Sequence, residues 1–117
     1  GNEVVINPEN GNGKLWSENR ILLDDTLGSG HALAVGDFLG LGYDQVAAGW
    51  REPSKDTKKV GIKLYATENG TWKTHSLIDD NTMACEDIKA ADLNGDGKPE
   101  LIASGRATKN VIIYWNE

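Results

Sequence analysis

Two stretches of this chain repeat each other, and that repetition limits the possible folds more than any other feature. Residues 31–42, His-Ala-Leu-Ala-Val-Gly-Asp-Phe-Leu-Gly-Leu-Gly, align at an offset of 55 with residues 86–97, Glu-Asp-Ile-Lys-Ala-Ala-Asp-Leu-Asn-Gly-Asp-Gly. Asp37 falls on Asp92, Gly40 on Gly95, Gly42 on Gly97, Ala48 on Ala103 and Arg51 on Arg106, while Leu23-Asp24-Asp25 matches Ile78-Asp79-Asp80. After the arginines the first copy carries six extra residues, and register resumes at an offset of 49 with Tyr65 on Tyr114. Trp16 and Trp72 each open the segment after such a strand, and residues 3–6 read as the same strand of a preceding copy. The chain therefore divides into an outer strand and turn (1–15), a first repeat (16–71) and a second repeat (72–117).

Each copy holds four short apolar runs separated by Gly, Asn, Asp and Pro; in the second they cover 72–78, 87–91, 100–104 and 110–115. Val, Ile, Leu and Trp in runs of this length, with turn residues in every gap, are strand signals. No 3.6-residue periodicity is long enough to argue for a helix. Glu68-Asn69-Gly70-Thr71 reads as a tight hairpin turn, since Asn-Gly tolerates the positive φ that such turns need. Four strands in roughly 50 residues, repeated in tandem, are the arithmetic of a propeller blade. The expected fold is all-β: two four-stranded antiparallel blades of a β-propeller plus an extra N-terminal strand. One such sheet cannot bury both faces alone, so the expected partners are the remaining blades of a longer polypeptide or further copies of this chain. No charged-then-apolar leader follows Gly1, and we expect Gly1 to be a cut end.

The strongest chemical signal is Asp92-Leu-Asn94-Gly-Asp96-Gly97-Lys98-Pro-Glu100. Oxygen-bearing side chains stand at positions 1, 3, 5 and 9 of a tight loop, Gly97 permits the sharp turn, and the Lys98 carbonyl offers a neutral ligand. Calcium (Ca2+) suits such a set because it takes hard oxygen ligands at flexible angles, and the loop has no His or Cys to favour zinc or copper. The start resembles an EF-hand loop, but position 12 is Ala103 and a strand follows. In the first copy Leu39 and Leu41 replace Asn94 and Asp96. That loop is expected to keep its turn, with Leu39 or Leu41 packing where the second copy holds an ion.

These residues, 92–101 above all, resemble the signature of FG-GAP/VCBS repeats, and the likeness in strands and spacing runs through both copies. The resemblance implies a propeller with calcium in the loop between the two innermost strands, held by Asp92, Asn94, Asp96, Lys98 and Glu100. It also implies an exported location: secreted, periplasmic or at a cell surface. Gly30-His31-Ala32 and Ala84-Cys85-Glu86-Asp87 are similar, in addition, to bacterial propellers related to sugar dehydratases and polysaccharide lyases.

Two functions follow as expectations. One is a calcium-stabilised segment acting as a binding or scaffold module for carbohydrate or protein. The other is part of a propeller enzyme acting on sugars, with His31 and Glu86 at the central rim as general base or metal ligand. Arg51 and Arg106 either bind carboxylate or hydroxyl groups of a ligand or pair with Asp24, Asp25, Asp79 or Asp80 to tie blades together. Trp16, Trp72 and Trp115 are expected to pack between blades, whereas Trp50, beside the long polar stretch 52–59, is the candidate exposed aromatic for stacking on a sugar. Cys85, the only cysteine, excludes an internal disulfide and reads as a small buried hydrophobe. With 12 basic against 18 acidic residues and no basic run, nucleic acid is not an expected partner. The longest apolar runs fall far short of the ~20 residues of a membrane span, so no membrane insertion is expected.

Overall fold

The computed structural model describes residues 2–6 and 21–116. Nine strands follow in order: β1 (Val4–Ile6), β2 (Ile21–Asp24), β3 (Gly28–Gly36), β4 (Gln45–Glu52), β5 (Gly61–Glu68), β6 (Thr71–Asp80), β7 (Cys85–Ala91), β8 (Glu100–Gly105) and β9 (Asn110–Tyr114). The chain is all-β, and every strand pair is antiparallel. Trp16 and the turn expected after residue 6 lie outside the described residues.

Each copy supplies four strands, β2 to β5 and then β6 to β9, but they do not form one sheet per copy. The sheets are β1-β2, β3-β4-β5-β6 and β7-β8-β9. Each copy's first strand pairs with the last strand of the copy before it. The cause is local: Asn69 at φ 52° and Gly70 at φ 78° form a two-residue turn that folds β6 directly back onto β5.

The sheets stack face to face, with β3-β4-β5-β6 in the middle. Alternate residues of β4 explain this. Val46, Ala48 and Trp50 join Val4, Leu27 and Tyr65 in a core shared with β1-β2, with Leu23 and Trp72 at its edge. Ala47, with Ala32, Ala34, Ile62 and Leu64, packs from the other face against Met83, Cys85, Ile88, Leu101 and Ala103. Because both faces of β4 are covered, Gln45 to Trp50 is a continuous buried run. Gly49 lets the sheets approach closely, since a Cβ there would lie 2.6 Å from the Cβ and Sγ of Cys85. Burial in this seam pushes the Cys85 thiol up to about 12.

Matched carboxylates lock the sheets together. Asp24 in β2 accepts hydrogen bonds from the Thr26 N–H (2.8 Å), the Thr26 hydroxyl (2.6 Å), Tyr65 Oη (2.7 Å) and Lys63 Nζ (3.1 Å). Asp79 in β6 accepts from the Thr82 N–H and the Met83 N–H (3.0 Å each), from the Thr82 hydroxyl and from Tyr114 Oη (2.8 Å). Tyr65 and Tyr114 occupy equivalent positions, so the same latch is used twice. The ties from Asp24 and Asp79 thus run to tyrosines, threonines, Lys63 and backbone N–H groups, not to the arginines. Both Arg51 and Arg106 turn instead to Glu86.

One tryptophan departs from expectation. Trp50 is 1% exposed. Its Nε1 donates to the Lys59 carbonyl at 2.7 Å, and Lys63 Nζ stands 5.5 Å from the ring centroid, so this ring is core and has no face for a sugar. It is buried because β4 alternation aims position 50 at the β1-β2 side. Trp115, expected to pack between blades, stands one residue past β9 and is 57% exposed, continuing the alternation that also exposes Val111 and Ile113.

Candidate metal centre

Residues 92–99 connect β7 to β8, and residues 37–44 make the matching connection from β3 to β4. Both loops are built on their first aspartate. Asp92 Oδ1 accepts from the N–H groups of Gly95 (2.9 Å) and Asp96 (3.2 Å), and Oδ2 accepts from Gly97 (2.8 Å). Asp37 accepts likewise from Leu41 (2.9 Å) and Gly42 (2.8 Å), and these N–H donors hold its carboxyl below the usual range. Gly42 (φ 86°) and Gly97 (φ 83°) take the same left-handed conformation, which makes their spacing from the aspartate a geometric requirement.

The two loops differ in what fills them. In the second, Asp92, Asp96 and Glu100 each offer a carboxylate oxygen, and these atoms lie within 4.8 Å of one another. Asp92 and Asp96 are exposed while Glu100, the first residue of β8, is fully buried. Glu100 Oε1 accepts from the Leu93 N–H at 2.8 Å, but Oε2 is buried with no hydrogen-bond partner. Three carboxylates this close repel one another, and a buried anionic oxygen without a donor is costly. A cation among them relieves both, so the residues fit a metal ion. Asn94 Oδ1 accepts from the Asp96 N–H at 3.3 Å, and the Lys98 N–H donates to Asp96 Oδ1 at 2.9 Å, which places both residues in the same turn.

In the first loop the position of Glu100 is taken by Gln45, also fully buried. Its Oε1 accepts from the Leu39 N–H at 2.9 Å. Its Nε2 donates to Asp37 Oδ1 and to the Tyr43 carbonyl. Tyr43 is the equivalent of Lys98. An amide N–H group therefore bridges the two oxygens whose counterparts, Asp92 and the Lys98 carbonyl, are the expected metal ligands. Leu39 packs against the core as expected, and Leu41 is exposed. Sequence reasoning missed Gln45, although its place opposite Glu100 was visible in the alignment. The side-chain amide of Asn116 joins the loops, donating to the carbonyls of Phe38 (2.6 Å) and Pro99 (3.1 Å).

The other predicted residues gather at the opposite end of the strands. Register shifts fall between Gly30 and Ala32 in β3 and between Cys85 and Asp87 in β7, so His31 and Glu86 are matched β-bulge residues. His31 Nδ1 lies 2.9 Å from the Glu86 carbonyl oxygen and 3.3 Å from Glu86 Oε2. Arg51 Nη1 reaches Glu86 Oε1 at 3.3 Å and Arg106 Nε approaches it at 3.8 Å. His31, Glu86, Arg51 and Arg106, all named from the sequence, are thus brought together; Trp50 is not among them. No family model, curated protein or solved structure matches the chain.

Proposed function

We propose that the chain is a segment of an FG-GAP/VCBS-type β-propeller that binds one calcium ion in the loop from Asp92 to Glu100 and serves as a binding or scaffold module for carbohydrate or protein at an extracellular surface. The observation behind the calcium is Glu100 Oε2, a buried carboxylate oxygen with no donor, beside the carboxylates of Asp92 and Asp96. Asn94 and the Lys98 carbonyl complete an all-oxygen set of the kind calcium prefers. Support for the propeller comes from the stack itself: each sheet packs face to face on the next through repeated latches, and blades are assembled in that way. Val111 and Ile113, exposed on β9, and Val5 and Leu22, exposed on β1-β2, leave apolar surface at both ends of the stack for further blades.

Thermal unfolding in calcium, in magnesium and in EDTA tests this reading. A free calcium concentration one hundred times the Kd should stabilise the chain by about 2.7 kcal/mol. Magnesium, which demands a tighter octahedral shell, should do less. Identical melting in all three conditions would remove calcium from the account.

A further inference from the structure

We infer that His31, Arg51, Glu86 and Arg106 form a binding site for a small hydroxy-carboxylate at the end of the strands opposite the metal loop. The inference goes beyond the metal reading and does not depend on it.

The backbone comes first. A β-bulge interrupts the ladder, re-aims one side chain, and is over-represented beside functional sites. Here both bulges fall at equivalent positions, and the residues they project, His31 and Glu86, meet across the seam between sheets.

Charge is the second point. One carboxylate, Glu86, faces two guanidinium groups, so with a neutral imidazole the cluster keeps a surplus positive charge in a chain of net charge −6. Arg106 is 82% exposed and touches Glu86 only at 3.8 Å, which leaves most of its donors to an incoming anion. Lys109, Ser104 and Asn110 line the same groove as Glu86 and Arg106. Arg51 makes one 3.3 Å contact, and its Nε is buried with no hydrogen-bond partner. The carboxylate alone leaves that guanidinium incompletely satisfied.

Protonation is the third. A backbone carbonyl only accepts, so the contact with the Glu86 carbonyl requires hydrogen on His31 Nδ1. The neutral ring then presents Nε2 as an acceptor, and His31 is half exposed. Guanidinium donors for a carboxylate, next to an imidazole acceptor for a hydroxyl, match a ligand that carries both groups.

The test is an NMR titration of the full chain with D-glucuronate, following the His31 ring nitrogens and the Arg106 Nε–H. Acetate and D-glucose each carry half of the ligand's chemistry. Saturable shifts at both side chains are expected with glucuronate, weaker ones with acetate and none with glucose. Arg106→Gln, at an exposed position that folding does not need, should weaken glucuronate about tenfold by removing a charge-assisted contact. The amide spectrum confirms that this variant is folded. Affinity should be the same in calcium and in EDTA while the chain remains folded, so a failed metal reading and a failed rim site are distinguishable. No saturation, equal response to acetate and glucuronate, or unchanged affinity in Arg106→Gln would each overturn the proposal.

Discussion

A buried polar atom left without a partner costs a folded protein about 1–3 kcal/mol, and more when it is charged. Glu100 Oε2 is such an atom, and Gln45 shows how the fold solves the same problem with an amide. Glu100→Gln should therefore abolish the calcium response while keeping the stability of the metal-free chain or raising it, because a new Nε2 can bridge Asp92 and the Lys98 carbonyl. Glu100→Ala should instead destabilise by about 1–3 kcal/mol, since the Leu93 N–H loses its acceptor. Melting curves of the two variants with and without calcium separate these outcomes. Asp24 makes a different prediction. Burial raises its pKa, but the Thr26, Tyr65 and Lys63 donors outweigh burial and leave it below the ordinary 3.8. A depressed folded value means that the latch contributes fully above the unfolded pKa and is lost as pH falls through the folded one. Urea unfolding between about pH 5 and about pH 2 should show a shallower acid loss of stability in Asp24→Asn than in the natural chain.

The strands themselves were legible because apolar runs and turn residues alternate without ambiguity, and the offset alignment located both loops. How the strands would group into sheets was harder to read. Repeat phase and sheet phase differ by one strand, since pairing follows the shortest turn, and Asn69-Gly70 stands across the boundary between copies. The bulges at His31 and Glu86 were not legible, because one extra residue in a ladder barely disturbs the alternation pattern. Trp50 was misread for a related reason: its polar flank, 52–59, suggested surface, while its register in β4 places it in the core. Two sheets approach closely at Gly49 against Cys85. Gly49→Ala should cost about 1–3 kcal/mol by overpacking, read from chemical denaturation. The same variant should expose Cys85 to thiol reagents sooner, as the seam opens more often.

Three stacked sheets with apolar residues exposed at both ends are a unit suited to extension. Val111 is 70% exposed on β9, and its equivalent in the middle sheet, Ile62, is fully buried under the next sheet. On the proposed reading this face associates with another sheet of the same kind. Sedimentation velocity should show concentration-dependent association, and Val111→Lys with Ile113→Lys should reduce it without altering the amide spectrum of the monomer. The account as a whole turns on one loop taking a cation where its twin takes an amide. A crystal structure grown in calcium is the most direct check. It should show one ion bonded to Asp92, Asp96 and Glu100 Oε2 at roughly 2.3–2.6 Å, and none beside Gln45. Both loops free of metal at saturating calcium, or an ion in each, would contradict it.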